Sequence, residues 1–360
     1  MNILVAIPQY AMCPGSRIYS VDYYNFYLGL KALAEKIELF DYYSMRNELG
    51  REGMNKAFLS RVKEQKPDVV FIVLLADEFM PEILDEIKKQ TLFLGYFHDD
   101  KWRRDYVVRC AKHFSYVLCT DPDAEKSFRS LGVNNALSFP QACNHNVYKS
   151  GHVEKNIDVS FVGAYHPNRA WLIERIRKVG IDVKVYGPGW SQSKIFSALQ
   201  CKVRAKLGMS SGEKNDNILS FEDMMSVFRR SKISLNLSNC TNWDARYLLS
   251  TPLAYWNTRR SKKYRDGIKL RGFEISACGG FQLCYYEEGL ERYYIIGEEV
   301  AIFINPDDLI DKVKYYLKND DERESIAEKG YMRTLAEHTI EKRFESTFNK
   351  IDVSKLALEK

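Results

Sequence analysis

The sequence predicts an α/β protein made of two successive doubly wound units. Two observations carry this. Short apolar runs alternate with amphipathic stretches along most of the 360 residues, the pattern of parallel strands covered on both faces by helices. The alternation is interrupted by residues 144–156, NHNVYKSGHVEKN, which are polar and aperiodic and read as an interdomain linker. The length suits about two domains of ordinary size.

Taken in order, residues 2–8 form a buried strand and 21–36 carry helical periodicity before a strand at 37–43. A helix at 56–65 leads to Pro67-Asp68, which introduces the apolar strand 69–75. Helices at 80–89, 102–113 and 124–131 alternate with strands at 91–97, 116–120 and 136–140. Beyond the linker, 158–163 is a strand. Pro167 opens a helix and Gly180 closes it, because proline suits the first helical turn and glycine the residue past the end. Strands follow at 182–187, 233–237, 281–285 and 300–304, with helices at 221–230, 273–278, 309–317 and 322–335. An amphipathic helix at 340–356 ends the chain. Residues 191–219 and 239–271 are the least regular. The expected division is a first domain over 1–150, a second over 151–336 and a terminal helix over 337–360 that packs back on the first.

Hydrophobic residues make up 45% and charged residues 28%, an ordinary globular balance. A net charge of +5 is too small to argue for nucleic acid. The eight cysteines lie mostly in apolar stretches without a CxxC pair, as reduced core thiols would. The start, MNILVAIPQY, lacks a basic leader region and reads as a first strand. The longest apolar run, 69–76, is too short to span a bilayer. A cytoplasmic protein is expected, peripheral at most to the inner membrane face.

Doubly wound units take ligands beyond the carboxyl ends of their strands, so residues just after strands carry the most information. The strongest signal is 271–281, RGFEISACGGF. Glu274 sits among apolar residues, where it can accept ribose hydroxyls or complement the helix dipole. Arg271 can face a diphosphate. Gly279 and Gly280 let a helix end approach a strand closely.

This segment resembles the spore-maturation CgeB-like branch of the GT-B glycosyltransferases, with its R-x-F-E-x-x-A-C-G-G-F pattern, here Arg271, Phe273, Glu274, Ala277, Cys278, Gly279, Gly280 and Phe281. The likeness extends to DVSFVG at 158–163, to Arg169, to YGPGW at 186–190 and, more thinly, to FHDD at 97–100. It implies two Rossmann-like domains facing a central cleft. It also implies a retaining, metal-independent transferase that moves a sugar from a UDP- or GDP-sugar to a polysaccharide, glycolipid or protein acceptor. By the same resemblance, Glu274 holds the nucleotide ribose. Gly163, Arg169 and Arg271 serve the diphosphate, and His98 stands near the donor sugar. Two positions depart from the pattern. Ala164 stands where relatives carry an arginine, and Asp266 where many carry a glutamate on the donor sugar.

Gly15 and Ser16, with Arg17, follow the first strand and are expected on the acceptor side, through backbone N–H groups. Asp121-Pro122-Asp123 is a D-x-D string that binds a divalent metal in other folds, but its local reading is a helix start, with Asp121 as cap and Pro122 as first residue. Residues 259–271, from Arg259 to Arg271, hold seven Lys or Arg just after Tyr255 and Trp256. They read as a solvated loop or as a weak contact for an anionic acceptor or lipid headgroups. Two rivals remain, an inactive module of the same fold that binds a sugar nucleotide or partner, and a sugar-nucleotide epimerase.

Overall fold

The computed structural model describes residues 1–12, 17–190, 218–238, 240, 244–261, 263 and 267–351. The chain divides into two compact units. The first comprises Met1–Lys149, Gly267–Ala277 and Met332–Lys360, and the second Ser150–Asp266 and Cys278–Tyr331.

The first unit holds a six-stranded parallel sheet. Its strands are β1 (Asn2–Ala6), β2 (Lys36–Phe40), β3 (Val69–Leu74), β4 (Leu92–Phe97), β5 (Tyr116–Cys119) and β6 (Ala136–Ser138), in the order β2-β1-β3-β4-β5-β6. Every residue of β3 and β4 is buried. Successive side chains of a strand point to opposite faces, and here both faces are covered. Val70, Ile72 and Leu74 join a core with Phe58 and Phe93, while Val69, Phe71 and Val73 join another with Phe26 and Phe344. The sequence VVFIVL satisfies both at once, which is why it lacks polar alternation.

The helix Ile340–Ile351 belongs to this unit. Phe344 is fully buried, with ring centroids 4.9 Å from Phe139 and 5.2 Å from Phe71. Gly29 makes the approach feasible, since a Cβ there would lie 2.3 Å from Ile340 Cγ2.

The second unit holds β7 (Ile157–Val162), β8 (Val183–Tyr186), β9 (Ser231–Asn236), β10 (Gln282–Tyr285) and β11 (Ala301–Phe303), parallel and in the order β11-β10-β9-β7-β8. The helix Pro167–Lys178 buries Leu172, Ile173 and Ile176 against this sheet, in one core with Val159, Ile233 and Leu283.

The structure differs from the expectations at four places. The helix expected at 21–36 is a π-helical turn, Tyr23–Tyr27, continued by Leu28–Leu30. The helix expected at 56–65 runs over Tyr42–Gln65, kinked at Gly50, whose φ of 71° lies outside helical space. The irregular stretch 239–271 contains the helices Ala245–Leu248 and Pro252–Arg260. The helix Leu270–Ala277, expected in the second domain, groups with the first unit. One reason is that Phe273 packs edge-on against His338 of that unit, centroids 5.4 Å apart.

The Phe344 packing generates a stability prediction. Phe344→Ala should lower the unfolding free energy by about 3–5 kcal/mol, the usual cost of emptying a buried aromatic site. Urea unfolding followed by circular dichroism checks this, and a loss under about 1 kcal/mol would exclude the helix from the core.

Candidate active site

In an open parallel sheet, ligands gather past the carboxyl ends of the strands, near the point where strand order reverses. That point lies between β1 and β3 in the first sheet and between β7 and β9 in the second.

Within the first unit a cavity of about 250 Å³ opens at the carboxyl ends of β4 and β5. Asp99, Lys101 and Trp102 come from the loop after β4, and Thr120 and Asp121 from the end of β5. Lys269, Arg271 and Glu274 line it from the helix Leu270–Ala277 and the residue before it. The loop after β4 is held tightly. Asp99 has a φ of 55° in the left-handed region, which aspartate tolerates better than most residues. Asp100 is fully buried and accepts from the Thr120 hydroxyl and, at 3.2 Å, from the Asp121 N–H. Burial raises the Asp100 pKa, and those two bonds partly offset the rise.

Glu274 is 2% exposed. Its Oε2 lies 2.7 Å from Arg271 Nη1, one helical turn away, and its Oε1 accepts the Tyr148 hydroxyl at 2.5 Å. Tyr148 is itself buried. Burial, and then the Glu274 carboxylate, push its pKa well above the usual value, so the phenol keeps its proton and remains a donor. Asn25 Nδ2 donates to Tyr148 Oη at 3.5 Å, and Asn25 Oδ1 accepts the Asn144 N–H at 2.9 Å. The start of the expected linker is therefore an anchored turn. Asn144 and Tyr148 are buried, and the Asn144 side chain donates to the Tyr24 carbonyl at 2.8 Å.

His98 follows β4, as the sequence indicated. Its Nε2 lies 2.9 Å from Asp22 Oδ1. Burial alone would lower the His98 pKa, but the Asp22 carboxylate, with Asp99 and Asp100, carries it above the ordinary value. His98 does not line the cavity. Sequence reasoning missed Asp22, which sits in the stretch expected to be helical, and Tyr148, which sits in the expected linker.

In the second unit, Gly163 ends β7. Its N–H donates to the Tyr186 carbonyl at 2.8 Å, and its carbonyl accepts the Trp190 indole at 2.8 Å. Gly187 lies against it with a φ of 126°, and a Cβ there would lie 2.4 Å from Gly163 O, so only glycine fits. Arg169 stands in the first turn of the helix Pro167–Lys178. Its guanidinium donates to the Leu237 carbonyl at 3.1 Å and the Ala164 carbonyl at 3.1 Å, bracing the loops after β9 and β7. Gly279, with a φ of 70°, turns the chain out of the helix Leu270–Ala277, and Gly280 is buried before β10.

Gly15, Ser16 and Asp266 lie outside the described residues, and Arg17 is exposed. The D-x-D reading is corrected in detail. The helix begins at Ala124 with Asp123 at its N-cap position, while Asp121 accepts the Asp123 N–H at 3.0 Å. Among the described residues, no group of three His, Cys, Asp or Glu is arranged to hold a metal ion, and no helix is long and apolar enough to cross a membrane.

Comparison with curated proteins finds no match. Several solved structures share the fold. HepE of Anabaena in complex with UDP-glucose matches at a TM-score of 0.61 and 10% identity, over 98% of this chain and 100% of that one. The sucrose-phosphate synthase of Thermosynechococcus elongatus gives the same TM-score of 0.61 and 10% identity, over 98% and 100%. S. aureus TarM gives 0.53 and 12%, over 82% of this chain, which spans only 57% of the length of TarM. At such identities the likeness shows the fold, two parallel-sheet Rossmann-like units of the GT-B type. Residues 169–349, half of the sequence, match the model of one family, and the chain belongs to that family, described as glycosyl transferase-like.

Proposed function

We propose that this protein moves a sugar from a UDP- or GDP-sugar to a glycan or lipid-linked acceptor, retaining the anomeric configuration and using no metal. The observation that carries the reading is the buried Glu274 carboxylate on the cavity wall, fixed by Tyr148 and Arg271. Each of its oxygens has accepted one hydrogen bond and has capacity for another, which suits ribose hydroxyls. HepE in complex with UDP-glucose, and TarM in complex with UDP and alpha-GlcNAc-glycerol, support this donor class by analogy of fold.

In the proposed reaction the acceptor oxygen bonds to the anomeric carbon as the bond from that carbon to the diphosphate breaks. The acceptor proton passes to an oxygen of the departing phosphate. The protein's task is to stabilise negative charge on the leaving group. Arg271 and Lys269 supply cations at the cavity for this. On the sequence alone we assign His98, outside the cavity lining, to the donor sugar, and Gly15, Ser16 and Arg17 to the acceptor. Asp266 stands in the sequence where many relatives carry a sugar-binding glutamate, and Gly279 and Gly280 are assigned to the donor. Membership of the CgeB-like branch, a place in polysaccharide synthesis and a cytoplasmic location complete the reading.

One feature favours a binding module without turnover: Ala164 stands where relatives carry an arginine. Incubation with a donor panel and acceptor in EDTA separates the two, since an enzyme releases nucleoside diphosphate and a binding module does not. Glu274→Gln should weaken nucleotide binding about tenfold in calorimetry, the loss of one charge-assisted bond. Unchanged affinity by calorimetry would return Glu274 to a structural role.

The two arginines should separate by readout. Arg271→Ala should lower turnover about 10- to 150-fold, if a bond of about 1.5–3 kcal/mol is realised in the transition state. Arg169→Ala should register mainly as a lower Tm, because its guanidinium holds two backbone carbonyls. Near-normal turnover in the Arg271 variant would refute its assignment.

His98 gives a pH prediction. Its pKa is raised in the folded state, so its charged pair with Asp22 contributes stability that is complete below the ordinary histidine value. That contribution fades as pH rises through the higher folded value. Asp22→Asn should move the imidazole midpoint downward in an NMR titration, and the wild-type stability advantage should shrink as pH rises above the ordinary histidine value. An unmoved midpoint would exclude the coupling.

A further inference from the structure

We propose that the helix Pro252–Arg260, with the turn before it, is a membrane-surface contact that seats the second unit on an anionic lipid bilayer. The helix is well made. Thr251 caps it by accepting the Ala254 N–H at 3.0 Å, and Pro252 fills its first position. Its inner face is small, with only Ala254 and Thr258 buried. Its outer face is apolar. Leu253 is 64% exposed and Trp256 is 54% exposed, three residues apart on one side. Leu249, just ahead, is 86% exposed, and Tyr255 is 44% exposed. A helix that folds with its largest apolar side chains outward leaves them for another phase.

The charges beside them identify that phase. Arg260 lies over the Trp256 ring at 5.3 Å, and Arg259 Nη1 donates to Tyr255 Oη at 3.3 Å. Both arginines are exposed and have no carboxylate partner among the described residues. Arg246 is different, since Asp244 and Asp307 neutralise it. Residues 245–265 hold six Lys or Arg and no Asp or Glu. An apolar edge, aromatic rings with polar tips and guanidiniums level with those rings match the strata of a bilayer surface. There leucine reaches the acyl boundary, Trp and Tyr sit at headgroup depth, and arginine meets lipid phosphate. Exposed Leu253, Tyr255 and Trp256 on so short a helix suit a fluid, laterally uniform surface. The inference stands on this helix alone and not on the glycosyl transfer reading.

The test uses the full chain and vesicles of phosphatidylcholine alone or mixed with phosphatidylglycerol, read by flotation. The protein should float with the anionic vesicles, less so in high salt, and stay below with phosphatidylcholine alone. The double variant Leu253→Ser, Trp256→Ser should bind anionic vesicles at least about tenfold more weakly, with an unchanged Tm. Arg259→Glu with Arg260→Glu should lose about fivefold or more for each charge removed. Donor turnover with a soluble acceptor should be unchanged in both. Absence of wild-type flotation, or full flotation of both double variants, would overturn the proposal. So would a wild-type dimer in sedimentation that Leu253→Ser, Trp256→Ser dissociates without altering flotation, since the face would then belong to a second copy of the chain.

Discussion

A carboxylate that leaves water has to be met by donors, or it takes up a proton instead. Glu274 is met from two sides, by the Tyr148 hydroxyl and the Arg271 guanidinium. This requirement fixes much around it. Tyr148 needs the turn that begins at Asn144, and that turn is pinned by Asn25 and the Tyr24 carbonyl. The helix Leu270–Ala277 is thereby tied to the amino-terminal part of the chain. Burial and the neighbouring carboxylate hold the phenol in its protonated, donating form.

Parallel topology supplies the second constraint. Each strand must be followed by a crossover, so every β-to-α loop of one sheet emerges at the same end. The loops after β4 and β5 therefore gather Asp99, Lys101, Trp102 and Asp121 around one cavity without any of them being near in sequence to Arg271. In the second unit the same rule brings Gly163 and Gly187 together. Their close approach leaves no room for side chains and gives Trp190 a carbonyl to bind.

The parts that were legible in the sequence are those written in local pattern. The strand VVFIVL announces burial on both faces, and His98 and Gly163 follow strands that periodicity identifies. Glu274 and Arg271 stood out through a contiguous motif. Tyr148 did not, because its partner lies 126 residues away and its neighbours are polar. Asp22 was hidden likewise, 76 residues from His98 and inside an expected helix. Arg169 stood out in the sequence as a candidate for the diphosphate, but its two carbonyl partners belong to tertiary geometry that no motif records. The helix Pro252–Arg260 was missed because periodicity arguments look for an apolar face turned inward, and its apolar face is turned out.

The chain passes between the two units four times, at 149/150, 266/267, 277/278 and 331/332. The first unit is therefore not a contiguous gene segment. A recombination event that joined residues 1–149 to a foreign second half would leave Tyr148 without its carboxylate and remove the Arg271 wall of the cavity. Exchange of halves between related genes can preserve this site only if the insert 267–277 travels with the amino-terminal segment. That makes the two halves co-inherited parts and not interchangeable modules.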